Sequence, residues 1–119
     1  MRDIDPMPHL AVSVQHVGRR AVIEATGAID AATGPVLSEA AEVAVRAGAL
    51  EVWVDLGPTE FMDSTGLKVL LRLRRRLKEL RRRLAIICPE GPVHRVFEVT
   101  GLDREFVLYS TLSAAQRQA

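Results

Sequence analysis

The peptide Asp63-Ser64-Thr65-Gly66 sets a carboxylate and two hydroxyls side by side, immediately ahead of a run of regularly spaced leucines. A serine so placed has two uses: as a nucleophile, or as a helix cap that accepts bonds from the first free amides. The nucleophile reading fails on its surroundings. Asp63-Ser64-Thr65-Gly66 is not a Gly-x-Ser-x-Gly elbow, and nothing in the chain singles out an orienting His and acid for it. Gly57 to Gly66 lacks the Gly-Lys-Ser/Thr ending of a phosphate-cradling loop, and no Gly-x-Gly-x-x-Gly follows any candidate strand. Catalysis needs converging titratable groups, and without such a set the chain reads as a binding module. Two neighbours go beyond what capping requires. Phe61 and Met62 are large, apolar and expected in a loop, while Gly66, a poor helix former, falls in the first helical turn. A small residue there would let another chain approach the backbone and the serine closely.

The remaining reactive side chains are dispersed. Cys88 is the one cysteine, which excludes an intramolecular disulfide; it ends an apolar run with no basic neighbour, so it reads as a buried small side chain. His9, His16 and His94 are scattered, and no pair of His, Cys or carboxylate has zinc-site spacing. Neither a metal nor a cofactor is expected.

Several elements must position the serine. Leu10, Val12 and Val14 alternate within His9 to Gln15, giving the two-residue period of a half-buried strand. Gly18 marks a turn into a second strand, Ala21 to Thr26, and the two form an antiparallel hairpin that Gly27-Ala28-Ile29-Asp30 then leaves. Pro35 suits the first turn of a helix whose stripe (Val36, Leu37, Ala40, Val43, Ala44, Ala47) ends at Gly48. Leu50 to Leu56 reads as a central strand stopped by Gly57-Pro58. The spacing of Leu67, Leu70, Leu71, Leu73, Leu77, Leu80 and Leu84 predicts a long helix with one leucine face and one arginine face. Leu84 to Cys88 is a third core strand, Pro92 to Val99 a short helix closed by Gly101, Phe106 to Tyr109 a last strand, and Thr111 onward a terminal helix. Strands joined through helices predict an α/β domain with a mixed sheet, parallel beyond the hairpin.

A chain of 119 residues has room for one domain, here residues 9–119 behind a loose lead-in over residues 1–8. With 48% hydrophobic and 26% charged residues it has a globular composition, and its apolar runs are far too short for a bilayer span. Acids and a proline interrupt the start, where a signal peptide would need a continuous apolar segment, so a cytoplasmic location is expected. The net charge of +1 conceals a division. Nine of the sixteen basic residues lie in positions 68–83 with a single acid, Glu79, so that this stretch carries +8. Such a helix could be a solvated face or could meet an acidic protein, nucleic acid or an anionic membrane. The acidic remainder and the lack of an exposed aromatic series argue against direct nucleic-acid binding. Membrane insertion would require the leucine face that the core needs.

Read together, Val52-Trp53-Val54-Asp55-Leu56 and Phe61-Met62-Asp63-Ser64-Thr65-Gly66-Leu67 resemble the STAS-domain anti-sigma factor antagonists of bacteria, which typically read Phe-Met-Asp-Ser-Ser/Thr-Gly-Leu. Thr26-Gly27-Ala28-Ile29-Asp30 looks like that family's Gly-Glu-Leu-Asp, and Val96 to Asp103 like its closing helix and Gly-Leu turn. The resemblance implies a single STAS-like domain that binds an anti-sigma factor, itself a serine kinase, and so frees a sigma factor. Phosphorylation at Ser64, with Thr65 the lesser alternative, would switch this off, and a serine phosphatase would reverse it. It further implies a docking surface around Asp30, Asp63, Ser64, Thr65 and Gly66, with Lys68 as a further partner-binding residue. Ala28 stands where the family has Glu, and Lys68 where a small residue is frequent, both beside that surface. STAS domains also serve as transporter tails and as subunits of lipid-transport or stress-signalling complexes, which is the alternative role.

Overall fold

The alternation of apolar and polar residues in the first thirty positions produces the expected hairpin. The computed structural model describes residues 9–118, and the lead-in expected over residues 1–8 lies outside them. Strand β1 (Leu10–Val17) runs antiparallel to β2 (Arg20–Ile29), turning through Gly18 at φ +61°, a left-handed conformation that glycine adopts without strain. Helix α1 (Gly34–Arg46) follows, then β3 (Glu51–Asp55), β4 (Thr59–Met62), α2 (Ser64–Glu79), β5 (Arg83–Ile87), α3 (Pro92–Thr100), β6 (Leu108–Tyr109) and α4 (Leu112–Gln118). The sheet order is β1-β2-β3-β5-β6, with β4 paired to β2 off this path. Every pairing beyond the hairpin is parallel.

Side-chain alternation divides the sheet into two faces. Ile23, Val52, Val54 and Ile86 point into the main core, which α1, α2 and α3 cover with Leu37, Leu67, Leu70, Leu77 and Phe97. The Phe97 ring meets Phe106 edge-on at 5.4 Å between centroids. Trp53, Ala85 and Ile87 point the other way, against Ala115 of α4. Cys88 is buried, as its place in an apolar run implies, and burial pushes its thiol pKa up to about 11.

Three local expectations are overturned. Gly27-Ala28-Ile29 does not leave the second strand but extends it, and Thr59–Met62, expected as loop, forms β4 against that extension. Four residues are too few for a two-residue period to register, and β4 is held by hydrogen bonds to residues some thirty positions earlier. The helical stripe does not run on to Leu84: α2 stops at Glu79, and Leu84 lies in β5, in keeping with the strand expected from Leu84 onward. The chain reverses there because Arg81 takes φ +58°, and the Arg82 amide donates back to the Leu77 carbonyl at 2.7 Å.

Candidate functional site

The divided pairing of β2 builds the site. Its first half pairs with β3 and its last residues with β4, Ala28 opposite Phe61 and Ile29 opposite Met62, with a shift of register between Gly27 and Ala28. Thr59 fastens this branch: its buried hydroxyl donates to the Ala25 carbonyl at 2.7 Å. The two strand ends therefore deliver Asp30 and Asp63 to one end of the sheet.

Asp63 caps α2. Its backbone is extended (φ −104°, ψ −176°), and its carboxylate accepts the Gly66 amide at 2.9 Å. Ser64 is thereby relieved of capping. It is the first helical residue, exposed, and among the described residues nothing hydrogen-bonds its hydroxyl. Thr65 and Lys68 are exposed as well, Lys68 one turn further along α2. Phe61 is half exposed beside them, whereas Met62 is buried.

Gly66 serves another purpose than the expected one. Instead of leaving room for another chain, it is itself buried beneath this chain's own Ile29 carbonyl, with Met62 Cγ 2.9 Å from where a Cβ would stand. The same Ile29 carbonyl accepts the Asp63 amide at 3.4 Å, which ties the start of α2 to the end of β2.

Asp30 organises the loop into α1. Its carboxylate accepts the amides of Ala32 and Thr33, both at 3.0 Å, and its carbonyl accepts the Gly34 amide at 2.8 Å. The Thr33 amide, helped by the Thr33 hydroxyl and the Ala32 amide, holds the Asp30 pKa below the ordinary carboxylate value despite some desolvation. Asp30 is thus a fixed anion that follows directly on the Ile29 carbonyl packed against α2.

The basic stretch does not lie on one helix. Six of its residues are on α2, while Arg81 and Arg82 form the turn and Arg83 begins β5. Arg76 is engaged, with Nε and Nη2 each 3.2 Å from the Glu42 carboxylate of α1. Arg82 donates to the Ala49 carbonyl. Neither link was visible in the sequence, since Glu42 and Ala49 are more than thirty residues away. Lys68, Arg72 and Arg75 remain exposed on the outer face that begins at Ser64.

Residues 11–115 match the STAS domain family model, and the chain belongs to that family. It is 36% identical over 76 residues to an anti-sigma-B factor antagonist of Listeria monocytogenes, covering 64% of this chain and 67% of the relative. The crystal structure of an anti-sigma factor antagonist from Mycobacterium paratuberculosis superposes with a TM-score of 0.83 at 28% identity, over 92% of both chains. The anti-sigma factor antagonist SpoIIAA in its unphosphorylated form superposes with a TM-score of 0.73 at 25% identity, over 90% of this chain and 95% of that one. Relatives so named are regulators rather than enzymes. Among the described residues, no helix is long and apolar enough to cross a membrane.

Proposed function

We propose that this chain is an anti-sigma factor antagonist controlled at Ser64. In the unmodified state it binds an anti-sigma factor that is also a serine kinase, and so releases a sigma factor; phosphate on Ser64 ends the binding, and a serine phosphatase restores it. The chain has no turnover of its own in this reading. The observation that carries it is the division of labour at the start of α2, where Asp63 does the capping and leaves the Ser64 hydroxyl exposed and unengaged.

The chemistry of the switch follows from that position. A phosphoserine carries about −1.5 to −2 charges at neutral pH, and at a helix start these meet free amides and the positive end of the dipole, so α2 survives the modification. Docking changes instead. A neutral hydroxyl can be desolvated against a partner, whereas a dianion near the Asp30 and Asp63 carboxylates cannot unless a cation faces it. A mismatch of about 3 kcal/mol weakens binding more than a hundredfold.

The test is incubation of the full chain with an anti-sigma factor kinase and ATP, followed by mass spectrometry and binding titration. Phosphate is expected on Ser64, with Ser64→Ala binding the kinase persistently and Ser64→Asp binding at least a hundredfold more weakly. Phosphate on Thr65 alone, or wild-type affinity in Ser64→Asp, would refute the mechanism.

A further inference from the structure

At the other end of α2 a cleft of about 180 Å³ lies between the helix, the turn after it and the segment leading into β6. Arg74 and Lys78, one helical turn apart, form one wall and Arg82 another. Leu84 and Phe106 line its apolar part, and Glu105 is the one carboxylate at its edge. Three cations against one acid leave the cleft with a charge of +2.

This charge is not neutralised from within. Among the described residues, neither Arg74 nor Lys78 comes within ion-pair distance of a carboxylate, and Glu105 pairs with neither of them. Like charges spaced i and i+4 on a helix repel each other. Arg82 adds to that repulsion, yet it is held in place. Its guanidinium donates to the Ala49 carbonyl, and its amide is tied to the Leu77 carbonyl across Arg81, a residue without glycine's freedom held at φ +58°. A strained turn that sets a third cation beside two others, over an apolar floor, is pre-organised for a compact anion.

We infer that this cleft binds a small phosphate-bearing molecule, whose dianionic group lies between Arg74, Lys78 and Arg82. Arg74 offers a forked guanidinium suited to phosphate oxygens, Arg82 keeps the N–H groups not spent on the Ala49 carbonyl, and a dianion cancels the charge of the cleft. A concave space of this volume admits one or two phosphate groups. The bulk of Ser64 chemistry plays no part here, because fourteen residues of helix place Lys78 about 21 Å from Ser64. The site is therefore independent of the reading proposed above, and its failure would leave that reading untouched.

The experiment is a titration of the full, unmodified chain with pyrophosphate, followed by amide and arginine side-chain NMR at constant ionic strength. Saturable shifts are expected at Arg74, Arg82 and the Glu105–Val107 amides. The double variant Arg74→Gln/Lys78→Gln should bind at least tenfold more weakly. Pyrophosphate should also raise the wild-type melting temperature and leave that of the variant unchanged, while the variant without ligand melts no lower than wild type in low salt. Shifts that grow linearly, spread equally to Lys68, Arg72 and Arg75, or persist in the double variant would show plain charge screening and overturn the inference. So would tighter binding of an acidic peptide or of anionic vesicles than of pyrophosphate.

Discussion

A methyl group added at Gly66 would press on the Ile29 carbonyl and on Met62 Cγ. Two effects compete in Gly66→Ala. Alanine gains about 1 kcal/mol in helix propensity over glycine, whereas forcing a methyl into filled space costs about 1–3 kcal/mol. The clash is with backbone that is pinned at both ends, so the cost wins. Denaturant unfolding should show Gly66→Ala to be destabilised, and a variant as stable as wild type would mean that the first turn of α2 is free to move. The neighbouring cap is expected to matter on a similar scale. Asp63→Ala should lose about 1 kcal/mol in the same measurement, while Asp63→Asn, which retains the acceptor for the Gly66 amide, should lose less. Capping strength alone would not distinguish Asp63 from Ser64 in the sequence, because both residue types cap helices well. The backbone geometry of Asp63 decides between them.

Helix α2 was legible from its leucine spacing, and its end was not. The apolar stripe continues in phase through Leu80 and Leu84, so periodicity offers no sign that Leu84 has passed into a strand. The usual stop signal is glycine, and here Arg81 occupies the left-handed position instead. A non-glycine residue pays about 1–2 kcal/mol for that conformation. Arg81→Gly should therefore stabilise the fold by up to about 1 kcal/mol once the larger entropy of unfolded glycine is subtracted; thermal and denaturant unfolding would reveal it, and a loss of stability would point to an unrecognised contact of the Arg81 side chain. The strands divide in the same way. β3 and β5 announce themselves through β-branched and apolar residues, whereas β4 exists because β2 offers it an edge. Its Thr-Glu-Phe-Met sequence has no strand signature of its own, and the extension of β2 that receives it begins at a glycine, which reads more naturally as a break.

Across the whole molecule, the face that contains Ser64 is assembled from segments remote in sequence but braced against one sheet. β2 branches to β3 and β4, the buried Thr59 hydroxyl ties the branch to Ala25, and the Ile29 carbonyl meets both the Asp63 amide and the Gly66 backbone. Such bracing opposes any second arrangement of the start of α2. A phosphate on Ser64 would alter the charge presented to a partner without altering the shape that carries it, so the chain would act as a fixed plate with one replaceable letter. In salt near 0.15 M the influence of that letter fades over about 8 Å. Amide spectra of the modified and unmodified forms should then differ around residues 28–34 and 61–68 and coincide in β1, β6 and α4. Perturbations reaching those distant elements would indicate a transmitted rearrangement. With none, any protein that tells the two forms apart must dock within reach of the charge on the serine, and information leaves this molecule only by contact.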